Sequence, residues 1–181
     1  MKFSPTFKSR IVRMAKAKIM ELASQVNEKE GTYWSSLTES GSFNRFVKLT
    51  ENWGVKFSDN PARIAANYKR QRRAARYGLG PIAGCLLKVG GFYGYITQIA
   101  QTNHNQFFTS DEIVEYPKHV RVVKDLFRLT GFKFGDSHAY NFGSINDKPV
   151  CIDFDDVNSG DFDDNFPGYA RKVLTRKKVG V

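Results

Sequence analysis

The sequence predicts an α+β fold with antiparallel strands, and three observations carry that prediction. Apolar runs at 82–89 and 92–99 flank Gly90-Gly91, and runs at 142–145 and 148–152 flank Asn146-Asp147, the pattern of two β-hairpins. Three other stretches, 8–26, 60–77 and 111–130, repeat their apolar residues at helical spacing instead. A chain of 181 residues with 41% hydrophobic content can bury the core of one two-lobed domain, and it has no apolar run of membrane-spanning length.

Each element has its own signal. In 8–26, Ile11, Ala15, Ile19, Leu22 and Val26 share one helical face, so an amphipathic helical extension is expected within residues 1–36. The first twenty residues hold six bases (Lys2, Lys8, Arg10, Arg13, Lys16 and Lys18) and no acid. Such a composition also suits a transit peptide or a membrane-surface helix, but there is no continuous apolar core of signal-peptide length. A glycine-bearing entry at 40–43 leads into a strand at 44–49, a turn at 50–54 and a second strand at 55–57. The helix at 60–77 carries Pro61 in its first turn and Gly78 and Gly80 beyond its end. The hairpin of 82–99 follows, closing a β-rich lobe over 37–100. A polar connection at 101–110 leads to the last helix, where Ile113, Val114, Pro117, Val120, Val123, Leu126, Phe127 and Leu129 recur between Lys and Arg. The second lobe, 101–181, is short and contains the hairpin of 142–152 and an acidic run from Asp153 to Asp164.

Charge is divided unevenly. Residues 1–110 carry 17 Lys and Arg against 6 Asp and Glu, whereas 111–181 carry 11 against 12. A basic first part facing an acidic second part favours a polyanionic ligand. Arg70, Arg72, Arg73 and Arg76 form a compact basic group on one helix, readable as a solvated face or as a contact for an acidic protein or nucleic-acid phosphates. Cys85 and Cys151 both lie in apolar strands, the pattern of buried thiols in a reducing, cytoplasmic setting, the cytoplasm of a host included.

The chemistry concentrates in 135–156. Asn141 follows Asp136 by five positions, and Asp153 follows Asn141 by twelve, enough for a strand, the Asn146-Asp147 turn and a return strand. Phosphoryl transfer is mostly positioning and charge neutralisation, and it uses these residue types: one carboxylate to orient the attacking hydroxyl, an amide and a second carboxylate to hold Mg2+. The acidic run Asp153, Asp155, Asp156, Asp161, Asp163 and Asp164 does not contain the D-x-[DN]-x-[DN]-G pattern of a calcium loop.

In Gly135-Asp136-Ser137-His138-Ala139-Tyr140-Asn141 and Ile152-Asp153-Phe154-Asp155 the chain resembles the protein-kinase-like superfamily. It is closer to the G-D-x-H-x-x-N … I-D-F branch of aminoglycoside and choline phosphotransferases, and of bacterial and phage kinases, than to ordinary eukaryotic protein kinases. The short second lobe is similar to that of minimal kinases among bacterial type III effectors. The resemblance spans roughly residues 38–160. It implies a minimal two-lobed kinase-like fold: an antiparallel nucleotide lobe, a truncated helical lobe, and ATP with Mg2+ as cofactors.

It also implies roles. Asp136 is the expected catalytic base, Asn141 and Asp153 the expected metal ligands, and Asp155, standing in place of the D-F-G glycine, a further candidate. Gly41 and Ser42 fall where a phosphate-covering loop would be, though only one glycine of its pattern is present. Lys56, fifteen positions after Gly41 in an apolar strand, corresponds to the phosphate-binding lysine, with Lys48 as competitor. Gln98 and Ala100 would form the hinge that receives adenine. The departures are Phe134 in place of a histidine two positions before Asp136, and the absence of any carboxylate from 60 to 110 to pair with Lys56. Gln71 or Asp153 could stand in for that partner.

Three functions fit these expectations: an atypical kinase acting on a protein hydroxyl, Ser or Thr; a catalytically weak pseudokinase binding a host protein or nucleic acid; and a small-molecule phosphotransferase. The open, reduced second lobe leaves little from which to build a small-molecule pocket, which favours a protein substrate.

Overall fold

The computed structural model describes residues 4–28, 39–40, 45–102, 117–134, 141–155 and 157–158. Gly41, Ser42, Asp136 and His138 lie outside the described residues. The fold is α+β, and the chain separates into two compact units, one of Met1–Lys69 with Ile82–Ile99 and one of Arg70–Pro81 with Ala100–Val181.

The first unit is a helix-covered antiparallel sheet. Helix α1 (Pro5–Glu28) begins where Ser4 accepts the Phe7 N–H on its hydroxyl at 3.2 Å, with proline in the first helical position. Strands β1 (Glu39–Ser40), β2 (Arg45–Lys48) and β3 (Trp53–Ser58) are followed by helix α2 (Pro61–Ala75) and then by β4 (Ala83–Val89) and β5 (Phe92–Gln98). The five strands form one antiparallel sheet in the order β1-β2-β3-β5-β4. The antiparallel sheet of the expected α+β class is present, with one helix inserted between β3 and β4.

Local chemistry accounts for these boundaries. The turn before β3 is shorter than the sequence suggests. Thr50 Oγ1 accepts the Trp53 N–H at 3.2 Å while the Leu49 and Thr50 amides donate to the Trp53 carbonyl, so Trp53 already belongs to the strand. The α2 N-terminus is capped by Asn60, whose Oδ1 accepts the Ala62 and Arg63 amides, both at 3.1 Å. Gly90 and Gly91 join β4 to β5 with φ of 51° and 81°, the left-handed pair that a two-residue hairpin requires.

The register separates the two faces of this sheet. Val47, Val55, Phe57, Leu87 and Ile96 point to one side and bury against Ile11, Ala15, Ile19 and Leu22 of α1. On the other side lie Phe46, Lys48, Lys56, Ser58, Tyr95 and Thr97, because Phe46 and Tyr95 are the two cross-strand partners of Lys56. The first turns of α2 cover this second side: the rings of Tyr68 and Tyr95 stand 5.6 Å apart. Cys85, expected to be buried, is half-buried. It lies in β4, the edge strand, next to the register shift between Ala83 and Leu86, so a neighbouring strand covers only one side of it.

The second unit packs helix α3 (Pro117–Thr130) on a hairpin of β7 (Phe142–Ile145) and β8 (Lys148–Cys151), with a second short pair, β6 (Lys133–Phe134) and β9 (Val157–Asn158), beside it. Val122, Val123 and Leu126 of α3 meet Phe142, Cys151 and Phe154, together with Ala74 and Leu79. Gly131 ends α3 at φ 70°, its amide donating to the Phe127 carbonyl at 2.8 Å. Among the described residues no helix is long and apolar enough to cross a membrane.

Candidate functional site

The β7–β8 hairpin is the most closely specified element of the second unit. Asn146 and Asp147 occupy its turn with φ of 50° and 62°, a conformation that Asn and Asp tolerate better than other non-glycine residues. The turn sets the register: Phe142 opposes Cys151 and Ile145 opposes Lys148. At the open end, the Ile152 amide donates to the Asn141 carbonyl at 2.8 Å. Twelve residues apart in sequence, Asn141 and Asp153 are thereby delivered to one end of a single hairpin. Asn141 is buried at 7% exposure, which is unusual for an amide unless it has a specific task or partner.

Past β8 the chain makes a tight, hydrogen-bonded bend. Asp153 Oδ1 accepts the Asp155 N–H at 3.2 Å, so the carboxylate is oriented by its own turn. The Cys151 thiol donates to the Asp153 carbonyl at 2.9 Å. Phe154 is buried at 1%, and a Cβ on Gly80 would stand 3.0 Å from its ring. Arg70 of α2 completes the bend: one guanidinium nitrogen donates to the carbonyls of Phe154 at 3.0 Å and Asp155 at 3.1 Å.

These contacts change the meaning of the basic helix. Arg70 is half-buried and holds backbone of the Asp153 segment, and Arg73 lies over the Phe132 ring at 5.4 Å. Arg72, Arg73 and Arg76 are all exposed, and Arg76 lies just past the end of α2, so the four arginines expected on one helix are not one equivalent surface. Gln71, considered as a partner for Lys56, is fully buried and donates its amide nitrogen to the Pro81 carbonyl at 3.1 Å, tying the end of α2 to the strand that follows.

The expected hinge residues are both in described backbone. The Gln98 amide donates to the Ile82 carbonyl and the Ile99 amide to the Asn52 carbonyl, each at 2.9 Å. Among the described residues no hydrogen bond is made by the Ala100 amide. Gln101 then exchanges both backbone bonds with Ser144, at 2.9 and 2.8 Å. Gly143 permits this approach, since a Cβ there would come within 2.8 Å of the Gln101 oxygen and 3.1 Å of the Ala100 Cβ. The segment after β5 is thus laid directly on the hairpin that carries Asn141.

In the first unit, Lys56 is half-buried at the centre of the sheet between Phe46 and Tyr95, while Lys48 on the same face is exposed. Buried Ser58, Asn67 and Thr97 accompany Lys56, whereas α2 contains no carboxylate. The buried polar residues of α2 are the amides Asn67 and Gln71.

Asn141, Asp153 and Asp155 offer one amide oxygen and two carboxylates, the hard-oxygen chemistry that would suit Mg2+. No group of three or more His, Cys, Asp or Glu suited to a metal forms among the described residues. A hard cation held by few protein oxygens completes its shell with water and phosphate, as Mg2+ does in phosphoryl-transfer sites. A groove along α1, floored by Val12, Met20 and Val89 and rimmed by Lys8, Arg13 and Lys16, contains none of the expected site residues.

No family model matches this chain, and no curated protein matches it in sequence. Among solved structures, a co-crystal structure of WbdD with the kinase inhibitor LY294002 aligns with a TM-score of 0.43 at 14% identity. The alignment covers 78% of this chain and 37% of that one, so the chain spans well under half the length of its structural neighbour. At that similarity the functional reading has to rest on the chain's own residues.

Proposed function

We propose that the protein is an atypical ATP-dependent kinase that transfers the γ-phosphoryl group of ATP to a protein hydroxyl, that of Ser or Thr. The observation that carries this reading is the β7–β8 hairpin, whose turn and register bring buried Asn141 and hydrogen-bonded Asp153 to one end.

In this reading Asn141 and Asp153, with Asp155 as a further candidate, hold Mg2+, which neutralises charge on the nucleotide phosphates. The Lys56 ammonium binds those phosphates from the sheet, and the Ala100 amide faces the base. Asp136 accepts the proton of the acceptor hydroxyl as its oxygen forms the new bond to the γ-phosphorus. The bond from that phosphorus to the bridging oxygen breaks, and ADP carries away the electron pair.

A second reading has its own support. The absence of a carboxylate on α2 removes the usual partner of Lys56, which suits a catalytically weak binder on the same scaffold. The deciding experiment follows phosphate transfer from labelled ATP to the protein itself or to a generic protein acceptor, for the unmodified chain and Asp136→Ala. A kinase loses about 100-fold or more of its rate in the variant with nucleotide affinity retained. No transfer by the unmodified chain under any metal condition, with nucleotide still bound, would favour the binder.

A further inference from the structure

We infer that Arg70 is a positioning residue for the metal-binding segment, and that it acts through backbone carbonyls. The inference rests on the kinase reading above, in which Asp153 is a metal ligand.

Three successive carbonyls after β8 are each held by a donor. Asp153 receives the Cys151 thiol, and Phe154 and Asp155 both receive the same Arg70 nitrogen, at 3.0 and 3.1 Å. Two neighbouring carbonyls converging on one point repel each other unless a cation sits between them, and a guanidinium satisfies both while staying charged. The same bend sets the Asp153 carboxylate, whose Oδ1 takes the Asp155 amide, so the residue whose carbonyl Arg70 holds is also the one that orients the ligand. Arg70 itself is fixed by its helix: it flanks the buried stripe of α2 that runs through Asn67, Gln71 and Ala74. A sequence separation of 85 residues is thus closed by one side chain.

The sign of the effect distinguishes this role from simple charge. A cation near a Mg2+ site repels the metal, so deleting Arg70 for its charge alone would tighten metal binding. Deleting a carbonyl clamp that orients a ligand weakens it, typically 10- to 100-fold for groups that support metal ligands. The test titrates Mg2+ into the full chain saturated with a non-hydrolysable ATP analogue, and separately titrates the analogue without metal. It compares the unmodified chain with Arg70→Ala, Arg70→Lys and Arg76→Ala, the last removing an exposed charge just past the end of α2.

The expected result is a loss of about 10-fold or more in Mg2+ affinity for both Arg70 variants, unchanged metal-free analogue binding, and no loss for Arg76→Ala. Arg70→Lys keeps the charge and most of the stem, and it carries the test should Arg70→Ala not fold. Unchanged or tighter Mg2+ binding in the Arg70 variants would overturn the clamp while leaving the kinase reading intact. Equal loss in Arg76→Ala would also overturn it, since a loss on removing a charge that holds neither carbonyl would point to general damage and not to the clamp. If the unmodified chain itself shows no Mg2+-dependent binding, the kinase reading fails and this inference fails with it.

Discussion

The two faces of the five-stranded sheet use the same backbone for different purposes. Against α1 the buried side chains are Val47, Val55, Phe57, Leu87 and Ile96, matched by Ile11, Ala15, Ile19 and Leu22. On the α2 side the sheet buries Tyr95 together with Ser58 and Thr97, exposes part of Lys56, and faces a helix whose buried stripe includes Asn67. Aliphatic packing is the cheaper way to stabilise a sheet, since each buried polar group must find a partner or lose roughly 1–3 kcal/mol. A face that carries this burden beside a half-buried lysine is built around something other than stability. The lesson extends to the second unit, where an apolar core of Leu126, Phe142 and Phe154 supports a bend whose hydrogen bonds all serve Asp153 and its neighbours.

Removing an aromatic from each kind of surface should break the comparison most visibly. Phe57→Ala and Phe154→Ala each empty a fully buried site, and each should cost about 3–5 kcal/mol in denaturant unfolding. They should differ in function: below the unfolding transition, Phe154→Ala should also weaken Mg2+-dependent nucleotide binding, and Phe57→Ala should not. Equal effects on binding would mean that the α1 face is not purely structural.

A smaller effect separates the two lysines of the α2 face. Lys56→Met should reduce nucleotide affinity by roughly 10- to 100-fold, the worth of a charge-assisted hydrogen bond. Lys48→Met, at an exposed position near the end of β2, should change it by less than about 2-fold. The reverse order, read by calorimetric titration, would assign the phosphate-binding role to Lys48.

Least of all should be the effect of Asp147→Gly. The left-handed conformation at this position costs a non-glycine residue roughly 1 kcal/mol, and the greater freedom of glycine in the unfolded chain returns most of that. Thermal unfolding should show a gain of a few tenths of a kcal/mol with nucleotide binding unchanged. A loss of binding would mean that the Asp147 side chain takes part in the site and not only in the turn.

Much of the scaffold was legible because its signals are local. Pro61 marks a helix start and Gly78 lies beyond its end, and Gly90-Gly91 and Asn146-Asp147 supply the positive φ that tight hairpins demand, whereas the Ser4-Pro5 start of α1 lies before the stretch expected at 8–26. The intervals from Asn141 to Asp153 could be read for the same reason, since a two-residue turn converts sequence spacing into register. Arg70 could not be read this way. On a helix with Arg72 and Arg73, a guanidinium directed to solvent and one directed to a carbonyl 84 residues away leave the same pattern. Its position beside the Asn67–Gln71–Ala74 stripe was the one available hint. The half-burial of Cys85 depended on strand order, which the pattern of that strand does not contain, and Val122 was missed because its neighbour Val123 fits the helical spacing better. Gly41, Ser42 and Asp136 still rest on the sequence.

The most direct test of the account is calorimetric titration of the full chain with a non-hydrolysable ATP analogue, with and without Mg2+, beside Asp153→Ala. The account predicts binding that Mg2+ strengthens in the unmodified chain and a Mg2+ effect that disappears in the variant. Binding that ignores Mg2+, or an Asp153→Ala variant that responds to Mg2+ as the unmodified chain does, would contradict it.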